Sequence, residues 1–241
     1  MAKQPFITIS NLVEYATTSS AARRRGIIEQ YHHPQIYPFN WHGASEAIFS
    51  GRACGSPGIE EFIDSEKSRL KSLRTGDVDK DKRLQHVLEL VELLQVSDIS
   101  KVVAGAIPQS TADLPQDLVL EGLVVRIRPN LKLSRAKEGK RFREIGIVKC
   151  HQLTSQNLDE NSAKVYAVAL HMYAETVLKD SDIQPDLCRV YDLYADKLYK
   201  APSSQKRLRT RLSDTAQEIC DRWDIIGERM GERKSRPRKA S

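Results

Sequence analysis

Residues 161–178 carry apolar side chains on nearly every face of a helix, with Val165, Tyr166, Val168, Leu170, Met172, Tyr173 and Val177 among them. A helix with no polar side needs cover from several directions. This segment is therefore expected to lie buried across a sheet, and the 241 residues of the chain are enough to build the core that would cover it.

The sheet is expected in the second half. Around Lys101 the character of the chain changes: Val102-Val103, Leu118-Val119-Leu120, Leu123-Val124-Val125 and Ile127 form short runs rich in β-branched residues, separated by Gly and Pro. Residues 118–133 and 144–152 are predicted to pair as adjacent antiparallel strands, with the basic stretch 134–143 as the hairpin loop between them. Residues 189–193 and 197–199 read as a second hairpin turning near Ala195-Asp196. Ser203 or Ser204 then caps a helix whose apolar stripe is Leu208, Leu212, Ala216, Ile219 and Trp223.

Upstream the pattern is helical. Ser10 is the predicted N-cap of one or two helices carrying Leu12, Val13, Ala16, Ala21, Ile27 and Ile28, with Arg23-Arg24-Arg25 on the exposed side. Helical spacing resumes over 44–49, 59–73 and 82–94. The chain thus divides into a mostly helical N-terminal region, 1–100, an α/β core, 101–226, and a basic flexible tail, 227–241. No apolar run is long enough for a signal peptide or a membrane span, which gives the cytoplasm as the expected compartment. Cys54, Cys150, Cys188 and Cys220 lie far apart with no C-x-x-C pair, so spacing indicates neither zinc nor an iron–sulfur cluster, and they are expected to be mostly buried free thiols. His42, His86, His151 and His171 show no ligand spacing and read as packing or surface residues, while Tyr166, Tyr173 and Trp223 fit core positions.

The succession from Leu118 onward is strand, basic loop, strand, buried helix, hairpin, helix. Within it stand Arg128-Pro129-Asn130-Leu131 and Gly146-Ile147-Val148-Lys149. This order resembles the PD-(D/E)XK nuclease superfamily, nearest to RecB-like and CRISPR-associated exonucleases, and Ile9–Tyr15 resembles the helix that opens many RecB-like nucleases. The resemblance implies a restriction-endonuclease-like core, a mixed sheet with flanking helices. It also implies a divalent cation held by an Asp after Pro and by a Glu two residues before Lys, with that lysine orienting the nucleophile. Here those positions are Asn130 and Ile147, and Lys149 alone matches. An amide brings no charge to Mg²⁺ and an isoleucine cannot coordinate it. If the chain is active with Mg²⁺ or Mn²⁺, the acid must come from elsewhere, from Glu121, Glu144, Asp159 or Glu160; strand alternation turns Glu144 away from Lys149, which leaves Glu121 and Glu160 as the preferred candidates beside Lys149 and Asn130.

Phosphate binding has its own candidates. The chain carries 38 Lys+Arg against 32 Asp+Glu, a net charge of +6. Its densest positive region comprises Arg126, Arg128 and Lys132, expected on one strand face, followed by Arg135, Lys137, Lys140, Arg141 and Arg143; a second cluster, including Lys206, Arg207 and Arg209, opens the last helix. Binding through such residues should weaken steeply with salt and carry little sequence information. The expected function is a nucleic-acid-binding protein with a catalytically degenerate nuclease core, its nucleic acid being DNA by preference. It would serve as a subunit beside a helicase, a nuclease or a phage-defence effector. The alternatives are an active metal-dependent nuclease with relocated acids, and a protein-interaction subunit that uses the acidic N-terminal helices.

Overall fold

The structure, a computed structural model, describes residues 4–32, 43–74, 76–136, 143–152, 158–179 and 181–235. In chain order the first elements are β1 (Phe6–Thr8), α1 (Ile9–Thr17), α2 (Ala21–His32), α3 (Gly43–Ala53), α4 (Ile59–Ser72), α5 (Val78–Val96) and the single turn α6 (Ser100–Val103). There follow β2 (Ile107–Gln109), β3 (Asp117–Leu120), β4 (Leu123–Arg126), β5 (Leu131–Arg135), β6 (Glu144–His151) and α7 (Glu160–Val177). The last are β7 (Asp182–Ile183), a 3₁₀ turn (Pro185–Leu187), β8 (Arg189–Asp192), β9 (Lys197–Lys200) and α8 (Lys206–Ser235). Among the described residues, no helix is long and apolar enough to cross a membrane.

The elements sort into two units interleaved along the chain. The first draws on Met1–Ile36, Pro115–Ile127 and Ser204–Ser241, the second on Tyr37–Leu114 and Arg128–Ser203. The chain passes between the units after residues 36, 114, 127 and 203, so the helical first hundred residues are shared between the two. Residues 227–235, expected in a flexible tail, continue α8, and 236–241 lie outside the described residues.

In the first unit β4 is central, parallel to β1 (Ile7↔Val125) and antiparallel to β3 (Leu118↔Val125). The β3–β4 turn is Glu121-Gly122 with φ of 49° and 83°, the two positive values that a tight hairpin turn of the right twist requires. Helices α1 and α8 pack on this sheet, burying Leu12, Val13 and Tyr15 and Leu212, Ala216, Ile219 and Trp223, and α2 packs against these two helices with Ile27 and Ile28 buried. The α8 stripe was legible in the sequence, but the caps were not. Thr8, not Ser10, precedes α1, with its N–H donated to the Tyr31 hydroxyl at 2.9 Å, and the residue before α8 is Gln205, not a serine.

That hairpin corrects the largest sequence expectation. Residues 118–133 do not form one strand, because the positive-φ turn reverses the chain at 121–122 and Pro129, which has no N–H to donate, separates β4 from β5. Of the stretch 118–133, only the part in β5 pairs with β6, antiparallel, β5 running from Leu131↔Val148 to Arg135↔Glu144. The expected hairpin loop contains the undescribed residues 137–142.

The second unit is built on a mixed sheet in the order β2-β5-β6-β8-β9, with β7 also on β6. Strands β6 and β8 are parallel across α7, and β8 and β9 form the expected antiparallel hairpin, turning through Asp196 at φ 51°. One face of the sheet, with Leu131, Leu133, Val148, Cys150 and Tyr191, joins Ile48, Phe49, Leu84, Val87, Leu88, Val91 and Leu94 of α3 and α5 in one core. Strand alternation turns Ile147 and Lys149 to the other face, which α7 covers. Val165, Tyr166, Val168, Leu170 and Tyr173 are all buried there and Met172 is half-buried, as a helix apolar all round demands. Asp159 caps α7 by accepting from Ser162 N at 2.6 Å.

All four cysteines are free. Cys150 and Cys188 are buried, and burial pushes each thiol up to about 12; Cys54 is exposed and Cys220 half-buried. His86 meets the Tyr194 hydroxyl at 3.2 Å, His151 and His171 are buried, and His42 lies outside the described residues.

Candidate functional site

The start of β5, the end of β6 and the start of α3 converge in the second unit, and there the three nuclease-like positions can be judged. Asn130 is 5% exposed. Its N–H donates to Val148 O at 2.8 Å, its side-chain Oδ1 accepts from Cys150 N at 2.8 Å, and its carbonyl accepts from Ser50 Oγ at 3.0 Å. The amide clasps β5 to β6 where the ladder ends. Ile147 is fully buried on the α7 face. Lys149 donates to Glu46 Oε1 at 2.8 Å, with the lysine side chain 14% exposed and the glutamate 31%.

Glu46, in the first turn of α3, is the acid that sequence reasoning missed. A carboxylate there is favoured by the helix dipole, but it lies 103 residues from its partner and no local pattern links the two. Beside it, Ser45 Oγ donates to Gln152 Oε1 at 2.7 Å, and Gln152 Nε2 lies 3.7 Å from Cys150 Sγ. The cluster is thus Ser45, Glu46, Asn130, Lys149 and Gln152.

The two acids preferred from sequence are not brought to it. Glu121 occupies the exposed turn of the β3–β4 hairpin, in the first unit, where its carbonyl accepts from Cys220 Sγ at 3.5 Å. Glu160 begins α7, exposed, and its bond from Lys164 at 2.6 Å holds its carboxyl below the usual range. A hard cation needs several oxygen ligands with charge among them. The cluster offers one carboxylate, already engaged by an ammonium, and two amide oxygens, that of Asn130 taken by a backbone N–H and that of Gln152 by the Ser45 hydroxyl. These residues do not fit Mg²⁺ or Mn²⁺, and among the described residues no group of three or more His, Cys, Asp or Glu could hold a metal ion.

The basic candidates are dispersed. Arg126 ends β4 in the first unit, 3.2 Å from Asp117 Oδ1 with its guanidinium over the Phe6 ring at 4.7 Å, while Arg128 and Lys132 belong to the second. They do not share a strand face. Lys132 is half-buried opposite Ile147; Arg135, on the other face of β5, bonds Glu144 at 2.7 Å and Asp186 at 2.9 Å, and these carboxylates raise its pKa further. Arg128 and Arg143 are exposed, and so are Lys206 and Arg207 on the first turn of α8 in the first unit. Arg209 is half-buried with Nε 3.0 Å from Gln205 Oε1. Lys140 and Arg141, like Lys137, lie outside the described residues. No protein-family model matches this chain, and no curated protein matches it.

Proposed function

We propose that the protein binds nucleic acid through its phosphates and does not cut it, on a restriction-endonuclease-like core whose metal positions have been turned to structural use. The observation that carries this reading is the commitment of all three positions: Asn130 clasps β5 to β6, Ile147 is sealed under α7, and Lys149 is neutralised by Glu46. Support for the core comes from the order strand, strand, buried helix and hairpin, met as β5, β6, α7 and β8–β9 with β6 and β8 parallel. Support for phosphate binding comes from the net charge of +6 and from Arg128, Arg143, Lys206 and Arg207, all exposed. Such a protein would act as a subunit of a DNA-processing or defence assembly.

Labelled single- and double-stranded DNA and RNA, each with and without Mn²⁺, test binding and cleavage together. The expected result is salt-sensitive binding without products. Replacing Arg128 and Arg143 together by Ala should lower the slope of log affinity against log salt on duplex DNA by about 1.8, close to one unit per phosphate contact. An unchanged slope removes these two residues from the interface.

One observation favours a second reading, an active nuclease. Glu46 beside Lys149 is a relocated acid next to the retained lysine. The two readings part on Lys149→Ala and Glu46→Gln: in a binding protein Lys149→Ala leaves affinity within about twofold, because a neutralised ammonium contributes little to phosphate attraction, and neither variant alters the absence of products. In a nuclease each abolishes a Mn²⁺-dependent cleavage that the wild-type protein must first show.

A further inference from the structure

A pocket in the second unit opens where the end of α3, the link from α5 to α6 and strand β2 meet. Its volume is about 540 Å³, within the roughly 300–1,000 Å³ of sites that take a small molecule. Ala53, Ile99, Val103 and Pro108 give it an apolar wall. Two side chains of opposite charge, Arg52 and Asp98, line it as well. They are close without pairing: Arg52 Nη1 donates to the carbonyl of Ser97, the residue just before Asp98, at 3.2 Å and to that of Leu94, and no ion pair joins Arg52 to Asp98. Those carbonyls end α5 and hold the guanidinium in place, yet they are neutral and occupy only Nη1. Its Nε has Glu60 Oε1 3.9 Å away, a weak partner because the Glu60 side chain is 58% exposed, and Nη2 has none among the described residues. Asp98 is fixed in turn. Its Oδ1 accepts from Ser100 N at 3.0 Å and from Ser100 Oγ at 2.5 Å, which leaves Oδ2 without a partner among the described residues.

A ligand with a single charge would meet one of these two groups as a repulsion. A molecule that carries both charges a few atoms apart, on an apolar body, meets each with its opposite. We infer that the pocket binds a free α-amino acid with a large apolar side chain, its carboxylate on Arg52, its ammonium on Asp98 Oδ2 and its side chain against Ile99, Val103 and Pro108. A guanidinium suits the carboxylate because its remaining donors form a planar fork. The inference goes beyond the nucleic-acid reading and stands or falls apart from it. The competing role for the two side chains is structural only, Arg52 closing the end of α5 and Asp98 the turn into α6.

The test uses the full chain and a ligand-observed NMR titration with three probes: L-phenylalanine, 3-phenylpropionate, which lacks the ammonium, and 2-phenylethylamine, which lacks the carboxylate. L-phenylalanine should bind with a Kd of about 1 mM or tighter, the range open to a ligand of this size. Each of the other two should bind at least about tenfold more weakly, because each leaves one charged group of the pocket unanswered. Asp98→Asn keeps an oxygen for Ser100 and removes the charge, so it should weaken L-phenylalanine about tenfold and leave 3-phenylpropionate unchanged or tighter. Arg52→Lys keeps the charge but loses the fork, and should weaken L-phenylalanine and 3-phenylpropionate alike. Thermal melting by circular dichroism reports whether each variant is folded; if Arg52→Lys melts early, the three probes on wild-type protein and on Asp98→Asn decide the matter. No binding of L-phenylalanine at about 10 mM, ten times the expected Kd, overturns the inference and leaves the two side chains as helix and turn caps. Equal binding of 3-phenylpropionate by wild-type protein, or L-phenylalanine affinity unchanged in Asp98→Asn, removes the ammonium contact and overturns it as well.

Discussion

Gly146→Ala is expected to destabilise the second unit by about 3 kcal/mol, the upper range for forcing an extra carbon into a packed core. A Cβ at residue 146 would lie 2.3 Å from both the carbonyl carbon and the Cβ of Leu187, and 2.4 Å from its carbonyl oxygen. Two of those three atoms are backbone, so no rotamer change can clear them. The segment carrying them cannot easily retreat. Gln184 N donates to Ile145 O at 2.9 Å, Leu187 N to Gln184 O at 3.1 Å and Cys188 N to Pro185 O at 3.0 Å, while Arg189 Nε holds Asp186 O at 2.9 Å. Leu187 is itself fully buried in the core under the sheet. Either β6 shifts and loses register with β5 and β8, or the 3₁₀ turn breaks its own bonds. Gly122→Ala is the control, since a Cβ there meets nothing within 4 Å and only the φ of 83° opposes it, at a cost of about 1 kcal/mol. Urea denaturation should show a midpoint shift about three times larger for residue 146 than for residue 122, at unchanged slope. Equal shifts would mean that β6 does not press on the 3₁₀ turn.

Why glycine stands at 146 was invisible in the sequence, where it reads as a weak point inside a strand. The close approach that explains it comes from Leu187, a segment far along the chain beyond α7. Local signals fared better. A β-branched apolar run after a basic stretch located β6, an all-round apolar pattern located α7, and the Ala195-Asp196 turn located the β8–β9 hairpin, because each is decided by neighbours within a few residues. The reading of 118–133 as one strand failed although Gly122 and Pro129 were both in view, since β-branched runs outweighed two breakers whose φ and hydrogen bonding decide the matter. Strand β1 was missed because three residues carry no periodicity, and its pairing with β4 joins Ile7 to Val125. The interleaving of the two units follows from such long-range pairings. At the cluster, Asn130, Ile147 and Lys149 could be placed by spacing, whereas Glu46 could not. The basic patch shows a further limit: counting arginines cannot tell Arg135, held by two carboxylates, from the exposed Arg143.

Asn130→Asp with Ile147→Glu restores the acids that the resemblance implies, and the expected result is a loss of about 3–5 kcal/mol of stability at neutral pH, with no gain of cleavage. Asp at 130 keeps an oxygen to accept from Cys150 N, so most of the loss should come from Glu at 147. Ile147 is fully buried beneath α7, and a carboxylate there leaves water without a partner assured. Two cations share its sheet face. Lys149 is already engaged by Glu46, and Lys132, directly across on β5, is half-buried. A desolvated Glu has its folded-state pKa raised above the unfolded value of about 4.3. Between those two values the native state holds a proton that the unfolded state has released, so stability relative to wild type falls as pH rises, by about 1.4 kcal/mol per unit. Below about pH 4.3 both states are protonated and the charge-dependent part of the penalty vanishes. A working metal site gives the opposite sign: bound Mn²⁺ would depress the carboxyl pKa, stability would rise through the acid range, and added Mn²⁺ would raise the midpoint further. Urea midpoints for the single Ile147→Glu and the double variant across this pH range, with and without Mn²⁺, separate the two. Stabilisation by Mn²⁺ together with a rising pH profile would show that the sheet still shapes a cation site, and the reading of Asn130, Ile147 and Lys149 as purely structural would be wrong.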